Sequence, residues 1–327
     1  MKGAPPTTDL SHGITLIDTG MSRPGMVASY LIEDRGEAAF VDVGASPNIP
    51  LLLEAMERRG IAPEQVKYVM VSHVHLDHAG AAGALLRWLP RARLVVHPRG
   101  AAHMVEPSQL VAAARLVYGA EAAQRLFGEV LPAPPDRVQI AEHGERLALG
   151  GRRLLILDTP GHALHHFCVL DEASGALFGG DTLGVSYREL DTPQHQFVVP
   201  ACSPLDFDPQ ALRCSIEMLM THRPTRVLLT HFGEIHRPEQ LAEELMEVTE
   251  RFVGLAKKVR DWGPGRHRHL VELLEAYLAL HIVQGGCPVE PTRIVALHRD
   301  YLEVGARGLE VWLDRTTRRA RTIPARV

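Results

Sequence analysis

Cysteine is scarce. Four residues in 327, Cys168, Cys202, Cys214 and Cys287, stand singly, with no CxxC pair among them. That spacing excludes a disulfide framework and makes a reduced compartment the expectation. No stretch of eighteen uninterrupted apolar residues occurs, so no membrane span is expected. The first nine residues, Met1 to Asp9, lack the apolar centre of a signal peptide, which points to a cytoplasmic protein. Nor is there an excess of positive charge. Thirty-five Lys and Arg stand against 39 Asp and Glu, a net charge of -4, so no whole-molecule field holds nucleic acid by counterion release. Aromatic side chains are few, at 5%, but 46% of residues are hydrophobic, enough for a sizeable core. Residues 251–327 carry 14 basic and 8 acidic side chains. The local excess marks a boundary near residue 250.

Short apolar runs bounded by Gly and Pro, 13–18, 27–33 and 38–43, read as strands, followed by a helix over 51–59. A buried strand at 66–72 leads to a helix over 79–89, a strand at 94–97 and a helical stretch over 101–127. The second half repeats the theme with strands at 138–140, 146–149, 152–158, 165–170 and 176–179. A long irregular segment, 184–209, precedes a helix over 210–222 and a strand at 226–230. From Pro238 onward the pattern is helical, clearest at 241–255 and 269–283. Alternating βα units of this kind imply sheets covered by helices, an α/β or α+β chain.

One segment stands apart, Ser72-His73-Val74-His75-Leu76-Asp77-His78, between the strand ending at 72 and the helix beginning at 79. Three imidazoles and a carboxylate at the mouth of a strand offer nitrogen and oxygen donors suited to Zn, Fe or Mn. In an extended segment alternate side chains face the same way, so His73 and His75 address one point. The turn into the helix carries Asp77 and His78 to a second point close by. Further donors must come from elsewhere, and three strand ends supply candidates: Pro160-Gly161-His162, Gly179-Gly180-Asp181 and Thr230-His231. Ser72 reads as buried structure rather than as a nucleophile. His165 and His166 read as sheet residues or supports of the metal site.

The pattern HxHxDH at 73–78, PGH at 160–162, GGD at 179–181 and TH at 230–231 resembles the metallo-β-lactamase superfamily of metal hydrolases. The likeness covers roughly residues 12–250, and Val41-Asp42-Val43-Gly44 resembles the family's early Asp-containing strand end. The resemblance implies a four-layer αββα sandwich with the metals at one edge between its sheets. It implies two divalent ions, zinc first and Fe or Mn as alternatives. One is held by His73, His75 and His162, the other by Asp77, His78 and His231, with Asp181 bridging both. Asp42 would orient a ligand rather than bind metal.

The implied domains are a catalytic unit over 1–250, with a helical insertion at 101–128, and a mainly helical accessory region over 251–327. Two cations close together acidify a shared water and polarise a substrate oxygen, so hydrolysis by a metal-bridging hydroxide follows. Asp77 and Asp181 are candidates to shuttle the proton to the leaving group. The chain looks most similar to the glyoxalase-II-like branch, whose thioesterases and lactonases cleave small acyl compounds. It departs from true glyoxalase II where a Cys-Gly-Arg type of segment would follow the bridging Asp; here stands Thr182-Leu183-Gly184-Val185-Ser186-Tyr187. Tyr187 is a candidate donor to a substrate carbonyl, and His195 a candidate substrate contact. The expected partner is a small acyl molecule, with neither nucleic acid nor membrane, and a homodimer is compatible with the sequence. Two other functions fit the same motifs. One is a persulfide dioxygenase with a single iron on His73, His162 and Asp181; the other is an effector-binding protein that keeps the metals without turnover.

Overall fold

The computed structural model describes residues 7–322. Strands β1 (Thr7–Asp9), β2 (Ile14–Asp18), β3 (Ala28–Asp34) and β4 (Glu37–Val41) form an antiparallel meander. Helix α1 (Ile49–Arg58) then crosses over to β5 (Val66–Met70), which runs parallel to β4. Short helices α2 (Leu76–Ala79) and α3 (Ala82–Leu85) lead to β6 (Arg93–Val96). Helices α4 (Ala101–Val105), α5 (Ser108–Tyr118) and α6 (Ala120–Phe127) lead to β7 (Val138–Ile140). These seven strands make one sheet in chain order. The second sheet comprises β8 (Arg146–Leu149), β9 (Arg152–Asp158), β10 (Phe167–Asp171), β11 (Ala176–Gly180), β12 (Arg226–Leu229) and β13 (Gly233–Ile235). Its order is β13-β12-β11-β10-β9-β8. Helix α7 (Pro209–Thr221) joins β11 to the parallel β12, and α8 (Pro238–Lys258), α9 (Arg266–Gln284) and α10 (Pro291–Thr322) follow.

Period-two alternation explains the layering. In β4, Ala39 and Val41 enter the cluster between the two sheets, whereas Ala38 and Phe40 enter the one beneath the first sheet's helices. In β9, Leu154 and Ile156 face the first sheet, and Leu155 and Leu157 face the opposite helices. Both faces of each sheet are therefore apolar, and the strands read as continuous apolar runs. The result is a four-layer αββα sandwich. The last three helices bury stripes at helical spacing, Leu270, Leu274, Leu278 and Ile282 on α9 for example. They share one cluster with the outer face of the second sheet. Among the described residues no helix is long and apolar enough to cross a membrane.

The helix expected over 79–89 is broken. The Ala81 N–H donates at 3.0 Å to Gly44 O on the loop after β4, instead of to a carbonyl one turn back, so α2 stops and α3 starts afresh. A tertiary contact overrides the periodicity here. The edge strands β1 and β13, three residues each, carry no readable alternation.

Helix α10 docks closely on the irregular segment before α7. A Cβ at Gly308 would lie 2.5 Å from Cys202 O and 2.6 Å from Ser203 O, whereas one at Gly254 within α8 would meet nothing within 4 Å. Gly308→Ala should therefore lower stability by about 1–3 kcal/mol through overpacking. Gly254→Ala should raise it by roughly 0.5–1 kcal/mol through helix propensity. Paired denaturant melts check both, and equal, small effects of the two substitutions would contradict this packing.

Candidate metal centre

Parallel pairing sets the C-terminal ends of β4 and β5 side by side in one sheet, and those of β11 and β12 in the other. Chemistry-bearing residues leave from these ends: Asp42 after β4, Ser72 to His78 after β5, Asp181 after β11, and His231 after β12. His162 follows β9. At the end of β11, Gly180 takes a φ of +48°. A Cβ there would lie 2.5 Å from His166 Nε2 and 2.8 Å from Ser72 Oγ, so only glycine lets the two sheets close on each other at this point.

Seven side chains converge. His73 Nε2 lies 2.8 Å from His75 Nδ1, which in turn lies 3.1 Å from His162 Nε2. On the other side His78 Nε2 is 3.7 Å and His231 Nε2 is 3.3 Å from Asp77 Oδ2. Asp181 stands between the groups, with Oδ2 3.4 Å from His162 Nε2 and Oδ1 3.2 Å from His78 Nε2 and 3.5 Å from His231 Nε2. Three overlapping sets can each hold a metal ion: His73, His75 and His162; His73, His78 and Asp181; Asp77, His78 and His231.

Hydrogen bonds behind the rings decide what the front atoms are. His162 Nδ1–H donates to Ala201 O at 2.8 Å and His231 Nδ1–H to Met26 O at 2.9 Å. His78 Nδ1–H donates to Asp42 Oδ2 at 2.8 Å. Ser72 Oγ–H donates to the same carboxylate at 2.9 Å, leaving its oxygen to accept from His73 Nδ1 at 3.1 Å. With the proton held at Nδ1, each of these four rings in its neutral form presents an Nε2 lone pair forward. Those lone pairs face one another and the Asp181 carboxylate. Buried His78 Nε2 and Asp181 Oδ1 have no hydrogen-bond partner among the described residues. Acceptors facing acceptors repel unless a cation sits between them, and an N/O set of this kind suits a divalent first-row metal.

The electrostatics divide the site in two. Burial, reinforced by neighbouring imidazoles, pushes His73 well below its ordinary pKa, His75 to about 3, and His162 downward, so these three stay neutral ligands. Burial also opposes charge on His78 and His231. There the carboxylates of Asp181, Asp42 and Asp77 outweigh it for His78, and those of Asp181 and Asp77 for His231, raising both. Burial would raise Asp77 and Asp181, but the His78 and His231 rings hold both below the usual carboxylate range. In this second half a proton can take the place of a metal ion, which makes metal affinity fall as pH falls.

Asp42, 1% exposed, ties the site to the fold. Its carboxylate accepts from Ser72 N at 2.7 Å and from Thr230 Oγ1 at 2.6 Å, besides Ser72 Oγ and His78. His166 lies beneath Asp181, whose N–H donates to its Nε2 at 3.1 Å, while Nδ1 meets Thr159 Oγ1 at 2.8 Å. His165 stands beside His75, and its buried Nδ1 has no hydrogen-bond partner among the described residues. The two residues expected at the substrate, Tyr187 and His195, make the following contacts. Tyr187 is 2% exposed, its ring packed 4.9 Å from His298 and under Arg23. His195 stacks on Phe197 and meets Glu244 Oε2 at 2.8 Å. The carbonyls of Ala201 and Met26 escaped the sequence reading because backbone acceptors leave no residue signature.

Replacing Asp42 by Asn removes the charge that fixes His78 and Ser72. Metal affinity, read by competition with a chelator, should fall by about 10–100-fold while all seven donors remain. Unchanged affinity in a folded variant would show that Asp42 does not orient the ligands.

The family model of the metallo-beta-lactamase superfamily matches residues 22–247. A metallo-beta-lactamase fold-containing protein, ST1585, of Sulfurisphaera tokodaii is 24% identical over 242 residues, 68% of this chain and 86% of that one. Its crystal structure superposes with a TM-score of 0.62, covering 91% of this chain and 98% of that one. A metallo-beta-lactamase family protein of Thermus thermophilus, TTHA1429, superposes with a TM-score of 0.66 at 23% identity over 94% of this chain and 95% of that one. A hydroxyacylglutathione hydrolase of Rhodopseudomonas palustris is 28% identical over 155 residues, 47% of each chain. The structural likenesses carry the fold, and the family model spans the strand ends that bear all seven donors. The chain belongs to the metallo-β-lactamase superfamily.

Proposed function

We propose that this chain is a dinuclear-metal hydrolase that cleaves a small acyl substrate, a thioester, ester or lactone. The observation that carries this reading is the convergence of five imidazoles and two carboxylates into the sets His73, His75 and His162 and Asp77, His78 and His231, linked by the set His73, His78 and Asp181, with four of the rings held from behind at Nδ1. His73, His75 and His162 would hold one ion, Asp77, His78 and His231 the other, with Asp181 between them. Zinc is the first choice for such donors, iron or manganese the alternatives. Bound there, divalent ions supply Lewis acidity toward a carbonyl oxygen and lower the pKa of water.

The chain's own groups supply the rest. Asp77 and Asp181 stay ionised, held below the usual carboxylate range by the adjacent imidazoles, so a proton taken up by either is held weakly and passes on readily. Asp77, 29% exposed at its side chain, is the better placed to pass that proton to a leaving group or to solvent. Asp181, 7% exposed, positions rather than exchanges. Hydroxyacylglutathione hydrolases among the relatives support the acyl class, though only over about half of their length. The four free cysteines accord with a reduced, cytoplasmic setting.

Metal-quantified protein should hydrolyse a panel of thioesters and lactones and take up no oxygen with a glutathione persulfide. His75→Ala and Asp181→Ala should each lower kcat/KM by roughly a thousandfold or more without loss of the fold by circular dichroism. Oxygen uptake by an iron-loaded chain without hydrolysis would replace this reading by that of a dioxygenase.

A further inference from the structure

Charge as well as apolar packing joins the last two helices. At the start of α9, Arg266 Nε donates to Glu310 Oε1 at 2.8 Å, and its terminal nitrogens reach the two oxygens of Asp314 at 2.9 and 3.1 Å. Beside it, His267 Nδ1 lies 2.9 Å from Glu310 Oε2 and His267 Nε2 lies 2.9 Å from Glu303 Oε1. Glu303 and Glu310 stand two turns apart on one face of α10, so a single ring spans both. An ionised carboxylate only accepts hydrogen bonds, and a neutral imidazole has one N–H to give. With a carboxylate at each nitrogen, both nitrogens donate and the ring is an imidazolium. Burial opposes that charge, but the hydrogen bonds to Glu303 and Glu310 outweigh it and raise the ring above its ordinary pKa. The other charged groups nearby are cations: Arg307 of α10, with Nη2 4.0 Å from Glu303 Oε1, and Lys257 of α8, over the Trp312 ring at 5.8 Å.

Another face of α10 meets the segment behind the metal centre. Gly308 lies against the carbonyls of Cys202 and Ser203. Two turns on, Arg315 donates to Phe207 O at 2.7 Å and to Leu205 O at 3.4 Å. Next to this stretch is Ala201, whose carbonyl accepts from His162. Successive residues of a helix turn by about 100°, which sets 308 and 315 well away from 303 and 310. One side of α10 is therefore anchored on α9 while another braces the segment that supports a metal ligand.

We propose that His267 is a pH-sensitive clamp: as an imidazolium it holds α10 onto α9 and so against residues 201–207, and when it gives its proton to solvent that hold weakens. A neutral ring keeps one N–H, so one of the two glutamates loses its donor and meets a lone pair instead. Because the folded ring binds its proton more tightly than an unfolded one, the clamp is complete below the ordinary imidazole range. It is lost as pH rises through the folded value. No metal ligand takes part in this titration.

Hydrogen exchange read by mass spectrometry on the full chain, corrected for the intrinsic pH dependence of exchange, tests the clamp at about pH 6 and about pH 9, on either side of the imidazole range. In the wild type, amides of α10 and of 201–207 should exchange about twofold to fivefold faster at the higher pH, while those of α1 stay unchanged. His267→Gln keeps a donor but cannot become charged, and should show the faster exchange at both pH values. Equal corrected exchange in the wild type at both would overturn the proposal. So would an acceleration that includes α1 equally, or a pH response in His267→Gln that matches the wild type. Should that variant not fold, NMR titration of the His267 ring in the wild type decides alone. A midpoint above the ordinary 6.5 supports the clamp, and one at or below it overturns the clamp.

Discussion

Five imidazole nitrogens and two carboxylates aimed at a common, largely water-excluded volume set the terms for the rest of the molecule. Such a gathering of acceptors is unfavourable by itself, because burial strips each group of water while its neighbours offer no proton in return. The rings nevertheless cannot turn away. His162 and His231 are pinned from behind by backbone carbonyls, and His78 and His73 by Asp42 directly and through Ser72. Protons on His78 and His231 relieve part of the conflict, and a divalent cation relieves more of it.

The architecture explains how scattered segments arrive together. Two sheets packed face to face bring their parallel strand pairs to the same edge, so the loops after β4, β5, β11 and β12 meet. Asp42 is the junction. It leaves the first sheet, accepts from Ser72 on the adjacent strand end, and accepts from Thr230 across the sandwich on the second sheet. A single carboxylate thereby couples sheet packing to ring orientation, which is why the inner core and the chemistry belong to one design. Helix α10 adds a further layer of support through its close approach to the segment carrying Ala201.

The sequence displayed the donors far better than their supports. HxHxDH, PGH, GGD and TH were legible because dense histidine and aspartate at strand ends is unusual and because adjacent glycine marks close backbone approach. The alternating strand and helix patterns likewise foretold sheets covered by helices. Of the supports, Asp42 was legible through the resemblance, whereas Ala201 and Met26 act through carbonyls, which any residue carries. His195 is drawn by Glu244 of α8, a contact between distant elements that no local spacing reveals. The break between α2 and α3 escaped notice for the same reason, since Gly44 lies outside the window over which periodicity is read.

The most direct test is an anomalous-scattering map from crystals of the full chain grown with zinc. The account predicts two peaks, one within about 2.0–2.2 Å of His73 Nε2, His75 Nδ1 and His162 Nε2, and one at similar range from His78 Nε2, His231 Nε2 and Asp77. Ordered crystals showing these rings facing an empty or water-filled cleft, with zinc present in excess, would contradict it.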